Sequence, residues 1–250
     1  MSLRMAKNWQ CDIFPDRVCL RDGQQMIKQL PRLAEQALDE VLSELFSGRR
    51  LAWLDSVEFW LDNSLAHTLT VPWQEGIATP DELRCYTVSL AQNVFPQLRS
   101  QPLVVDFDQL QFGQTALAVT LEQAFWQQLR AAARQQKLRF NGVVTPFQHL
   151  LRSLAQPLPA SGVFVVAGAE ASTFACRSEQ QWQHVHRMAF PELSLQQQLV
   201  LVKRLSGLKE VPCYCLNLDS WQVSLLAEQA HDVSRWESLS AQLVSNPAAG

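Results

Sequence analysis

Val163-Phe164-Val165-Val166-Ala167 is an unbroken apolar run with a glycine on either side of it. This is the pattern of a strand buried on both faces, in place of the apolar–polar alternation of a strand with one face in water. It follows Gln156 to Gly162 (QPLPASG), whose prolines and small residues are the strongest linker signal in the chain. Together they set the frame for a mixed α/β chain divided into a first lobe over residues 1–155 and a second, smaller lobe over 162–250.

Around that strand the pattern changes repeatedly between periods. Cys11 to Leu20 reads as a short strand interrupted at Pro15. Met26, Ile27, Leu30, Leu33, Ala34, Leu38, Val41, Leu42 and Leu45 recur at three- and four-residue steps. That spacing predicts a helix over 24–46, bent at Pro31 and stopped by Gly48. In Leu51 to Trp73 two alternating stretches flank Asp62-Asn63-Ser64, which predicts a hairpin. Thr79-Pro80-Asp81-Glu82 is a helix start, with an N-cap, a first-turn proline and acids at the positive end of the dipole; the helix should reach Phe95. Strands are expected at 103–107, 115–119, 138–144, 172–176, 183–188 and 212–218. Thr120 with Gln123 and Ser194 with Gln197 read as capping boxes for two further helices, the first ending near Gln136. Another helix is expected from Pro146 to Leu154, and a last one from Gln222 to about Leu243 before a frayed tail.

Composition narrows the function classes. The net charge is −3 and charged residues are 18% of the 250, too little basic charge for a nucleic-acid footprint or a polybasic membrane anchor. Glutamine replaces charge on many helix surfaces, giving polar, weakly charged faces suited to protein contact. No apolar run is long enough to span a bilayer, and Met1 to Gln10 lacks the apolar core of a signal peptide, so a cytoplasmic protein without direct membrane insertion is expected. The six cysteines are scattered through apolar segments and read as reduced thiols packed like small hydrophobes. The tryptophans spread through strands and helices as core and interface residues, with Trp60 and Trp73 as candidates for an exposed partner patch.

Motifs with chemistry are sparse. His184-Val-His186 and Cys213-Tyr-Cys215 each place two ligands on one strand face, and the four together could in principle hold zinc. Zinc sites favour two-to-four-residue spacers in turns, so buried cysteines and surface histidines are the plainer reading. No thiol lies beside a basic cluster, and there is no GxSxG elbow, GxxxxGK[ST] or GxGxxG. Asp106 and Asp108 pair on a strand with no second carboxylate set beside them. Val166 to Thr173 (VAGAEAST) has the character of a phosphate loop but one glycine, which a plain hairpin turn explains.

Leu65 to Glu82 (LAHTLTVPWQEGIATPDE) resembles a segment of the bacterial actin-like assembly proteins, among them PilM and MshI of type IV pilus systems and the cytoplasmic domain of GspL of type II secretion. Leu117 to Leu154 and Val163 to Arg187 fall where that family has a strand–helix–strand unit and its second phosphate hairpin. The resemblance implies an actin-like (ribonuclease H-like) fold of two lobes, mixed sheets flanked by helices, the second lobe short for that fold. The family's ATPases place an Asp two residues before the hairpin glycine; here that residue is Val166. Their first loop carries Asp-x-Gly with hydroxyls, and Arg21-Asp22-Gly23 does not fit. The later Gly-Gly adenosine loop is absent.

The resemblance therefore implies a non-catalytic scaffold or adaptor, with no catalytic, cofactor-binding or metal residues of its own. It would bind proteins of an inner-membrane pilus or secretion assembly, and reach the membrane through them. An enzyme assembled from Asp106, Asp108, His149, His184 and His186 is the alternative from another class; a small-molecule sensor is a third. The scaffold predicts a flat or grooved surface with exposed aromatics, the others a deep polar pocket.

Overall fold

The computed structural model describes residues 6–226 except 33–35, 50, 53, 109, 155–156, 169, 191 and 219. In chain order its elements are β1 (Asn8–Ile13), β2 (Arg17–Asp22), β3 (Gln25–Pro31), α1 (Leu38–Phe46), β4 (Ser56–Leu61), β5 (His67–Val71), α2 (Pro80–Val94), β6 (Leu103–Asp108) and β7 (Ala116–Glu122). They continue as α3 (Gln123–Gln135), β8 (Arg139–Val144), α4 (Pro146–Ser153), β9 (Gly162–Ala167), β10 (Ser172–Ser178), β11 (Gln181–Met188), α5 (Leu195–Leu205), β12 (Cys213–Asn217) and β13 (Gln222–Leu226). The chain forms two compact units. One comprises Met1–His67, Ala78–Asp106 and Val119–Thr145; the other comprises Thr68–Ile77, Phe107–Ala118 and Pro146–Gly250.

The first unit holds a mixed five-stranded sheet, β3-β2-β1-β4-β8. β1 runs antiparallel to β2 and parallel to β4, and β4 runs parallel to β8. Val57, Phe59 and Leu61 of β4 are buried in strict alternation. They share one core with Cys11, Ile13 and Leu20, with Val41, Leu42 and Leu45 of α1, and with Leu129, Ala132 and Ala133 of α3. α2 begins with the expected box: Glu82 N donates to Thr79 Oγ1 at 3.2 Å and Thr79 N donates to Glu82 Oε2 at 3.0 Å. The Ala78 N–H, which donates to Glu82 Oε2 at 2.9 Å, and after it the Thr79 N–H lower the Glu82 pKa from its ordinary value.

The second unit holds the sheet β11-β10-β9-β12-β13, with β9 antiparallel to β10 and parallel to β12. Every residue of β9 is buried, as the apolar run requires. Val163, Val165, Phe174, Cys176 and Cys215 line one face together with Val202 of α5. α4 packs against β9 and β12 and contributes nothing to that cluster, so it covers the opposite face. Ser194 and Gln197 form the expected capping box on α5. A third sheet runs β5-β7-β6.

Four expectations are corrected. The helix predicted over 24–46 is β3 followed by α1. Asp22-Gly23 closes a hairpin between β2 and β3, with Gly23 at φ 60°, a conformation glycine adopts without steric cost. The hairpin predicted within 51–73 does not exist: β4 pairs with β1 and β8, while β5 joins β7 in another sheet. The turn itself is real, with Ser64 N donating to Asp62 Oδ1 at 2.8 Å. Thr120 lies in β7 and its hydroxyl donates to the His67 carbonyl, so α3 starts after Glu122 with no side-chain cap. Gln222 to Leu226 is a strand paired with β12, where a helix was expected; the remainder of that predicted helix lies outside the described residues.

Candidate functional site

The β9–β10 turn is built around Gly168. A Cβ there would stand 2.6 Å from the Ala171 carbonyl oxygen, so only glycine lets the strands reverse at this radius. Val166 faces Thr173 across the pair and is 0% exposed. That position is therefore closed to water, where an ion would lose its hydration unless it were paired.

The β1–β2 turn is Phe14-Pro15-Asp16. Pro15 has no N–H, and the Phe14 N–H donates to the Arg17 carbonyl at 2.9 Å. The turn presents a carboxylate and a proline where an anion cradle needs inward-pointing amides. Two residues before Phe14 stands Asp12, so Asp12-Ile13-Phe14 keeps the spacing of Asp-x-Gly with phenylalanine in place of glycine. Asp12 is 0% exposed, and its carboxylate accepts from Arg21 Nε and Gln10 Nε2, each at 2.6 Å. A built-in guanidinium thus occupies the electrostatic role that a cation would take. The sequence reading passed over Asp12; its signal was a lone carboxylate inside the apolar stretch Cys11 to Phe14.

A different surface stands out in the second unit. Trp73, after β5, and Phe112, in the β6–β7 connection, pack with ring centroids 4.5 Å apart and ring planes tilted by 58°. Phe112 is 80% exposed, the most exposed of the large apolar side chains described. Near Leu110 of the same connection lies an open cleft of about 490 Å³, lined by Leu110, Gln111, Pro157, Leu158, Arg177 and Gln180. The Arg177 guanidinium donates to the Pro159 carbonyl at 2.7 Å and the Gln180 carbonyl at 3.2 Å. It thereby braces the β10–β11 turn, whose Glu179 and Gln180 are both held at positive φ. The result is a shallow, mixed surface next to an exposed Phe112 ring packed on half-buried Trp73. Trp73 was expected on a partner patch; Phe112 was missed, although one phenylalanine within Gln111-Phe112-Gly113-Gln114 was its signal. Trp60, the other expected patch residue, is half-buried with its Nε1 donating to Glu58 at 2.8 Å.

The remaining candidates are dispersed. Asp106 is exposed and Asp108 half-buried on β6. His149 on α4 pairs with the Trp221 carbonyl at 2.9 Å, on the sheet face opposite the one that His184 and His186 share with α5. Cys213 and Cys215 lie on β12, separated from the histidine strand β11 by β9 and β10. Both cysteines are buried, and burial pushes the Cys215 thiol up to about 12. The four-ligand zinc set is thus not assembled. Among the described residues no group of three His, Cys, Asp or Glu is placed to hold a metal. Nor is any described helix long and apolar enough to cross a membrane.

No family model matches the chain, and no curated protein matches it in sequence. Solved structures do match in fold. A Bacteroides thetaiotaomicron protein with an actin-like ATPase fold and unknown function superposes with TM-score 0.55 at 10% identity, over 93% of this chain and 88% of its own. The cytoplasmic domain of EpsL, an inner-membrane component of the type II secretion system of Vibrio cholerae, gives 0.51 at 13% identity, over 98% and 97%. A PilM–PilN type IV pilus biogenesis complex gives 0.47 at 14%, over 96% and 73%. The fold is actin-like: two α/β units with mixed sheets flanked by helices.

Proposed function

We propose that this chain is a non-catalytic, cytoplasmic actin-fold scaffold that holds protein partners of an inner-membrane secretion or pilus assembly. Its docking surface is the Trp73–Phe112 pair with the cleft beside it. The observation that carries the reading is Phe112, a large apolar ring left 80% exposed. Burying such a ring against a partner is worth about 2 kcal/mol, and paired aromatics are the usual anchors of protein interfaces. The two hairpins support the non-catalytic half. Phosphoryl transfer rests on positioned cations and anion-facing amides; here one hairpin has Val166 and the other a neutralised Asp12 behind a proline turn. The likeness in fold to the EpsL cytoplasmic domain supports the choice of assembly.

The test has two arms. Calorimetric titration with ATP and Mg²⁺ should give no saturable heat; micromolar binding would overturn the non-catalytic half. Separately, sedimentation with inner-membrane vesicles containing type II secretion or type IV pilus components should carry the wild-type chain down. Phe112→Ser should lose that association while unfolding at the same temperature. Equal sedimentation of the variant would remove Phe112 as the anchor.

A further inference from the structure

We infer that His184 and His186 form a two-imidazole site for a divalent transition cation of the zinc class, on the outer strand of the second unit. Two residues apart on β11, they project from the same face, and their ring centroids are 5.7 Å apart. That is close enough for one ion to bridge them after a small side-chain rotation, since zinc–nitrogen bonds are about 2.0–2.1 Å and imidazole suits zinc, nickel and copper. β11 is at the end of the strand order, so one side of the site is open to solvent and water can complete the coordination.

The inner histidine is already oriented. His186 Nε2 lies 3.2 Å from the Ser206 hydroxyl, and that hydroxyl donates onward to Cys176 Sγ at 3.2 Å. With the hydroxyl proton committed to sulfur, the serine oxygen accepts from Nε2–H, and Nδ1 keeps its lone pair. This is the second-sphere arrangement that fixes the tautomer of a metal-binding histidine. Ser206 also caps α5, whose C-terminal carbonyls favour a cation, although Lys203 and Arg204 in the last turn oppose it. His184 is exposed, so ligation there costs little desolvation.

The experiment is a zinc chloride titration of the full chain, reduced, in a Cys85→Ser background that removes its one exposed thiol among the described residues. One saturable equivalent is expected. His184→Ala and His186→Ala should each weaken it by about tenfold or more, as loss of one of two ligands demands. Cys213→Ser with Cys215→Ser should leave it unchanged. No saturable binding, binding that survives in the double histidine variant, or binding lost with the cysteines would each overturn the inference. Near-UV circular dichroism of each variant checks that the fold is retained, and His184→Ala, at an exposed position, keeps the test available if His186→Ala misfolds.

Discussion

In the β1–β2 hairpin a buried carboxylate is neutralised by a guanidinium; in the β9–β10 hairpin a buried valine stands beside a tight glycine turn. Asp12 is fully buried yet satisfied by Arg21 and Gln10, so its strand tolerates charge through pairing. Val166 is buried on the face of β9 opposite Val165 and Phe174, across from Thr173 on β10 and Leu216 on β12, and Gly168 sets the reversal. The difference teaches that two turns of one fold can be closed to an anion by separate means. One holds a carboxylate and pairs it, while the other holds an apolar side chain beside a tight backbone turn. Opening them to an anion would need opposite operations in the two places.

The sharpest way to break this comparison is Val166→Asp. If the second hairpin were merely an unoccupied site, the carboxylate would be accommodated and Mg²⁺·ATP would rescue stability. If it is a hydrocarbon core, the unpaired charge should cost about 4 kcal/mol or prevent folding. Urea unfolding with and without Mg²⁺·ATP separates the two, and a midpoint close to wild type would refute the reading of a closed core. Arg21→Met probes the other hairpin with a smaller expected effect. It removes the Arg21 guanidinium from Asp12 while leaving the Gln10 bond, and breaking a buried pair on one side costs about 3 kcal/mol. Asp12→Leu combined with Arg21→Met should recover most of that loss, because no buried charge is then left over. A single-variant cost below about 1 kcal/mol would mean that the pair is effectively solvated and not a built-in neutralisation.

The sequence disclosed most where the determining contacts are local. The caps of α2 and α5 follow from Thr79/Glu82 and Ser194/Gln197, three residues apart, and β9 follows from five apolar residues in a row. It misled where the partner lies far along the chain. Leu61 and Leu65 flank a genuine Asp62 turn, yet β4 prefers β1 and β8, a choice that alternation alone does not encode. Met26, Ile27 and Leu30 satisfy a helical spacing by coincidence, and Asp22-Gly23 carried the stronger hairpin signal. The site was legible in what it lacks at Val166. It was not legible in Asp12, whose meaning depends on Arg21 facing it across the hairpin, nor in Phe112, whose meaning depends on Trp73 arriving from another strand.

The smallest expected effect uses the thiols that sit in the two units. Cys19 on β2 is raised by burial, and by Asp12 after it, from 9.0 to about 11, with Arg17 and Arg21 pulling it back. Cys215 on β12 has no such cation and is raised from 9.0 to about 12, chiefly by burial. Both folded values lie above the unfolded one, so the stability they contribute is complete below pH 9. It falls as pH rises from there, through about 11 for Cys19 and about 12 for Cys215. Native-state alkylation by iodoacetamide at pH 9, followed by mass spectrometry, should therefore label exposed Cys85 first, Cys19 next and Cys215 last. Cys215→Ala should flatten the alkaline limb of the stability curve without moving it at neutral pH. Labelling of Cys215 as fast as Cys19 would show that the second unit opens more readily than its packing implies. The contrast between a paired hairpin and a sealed one would then reduce to a difference in local opening.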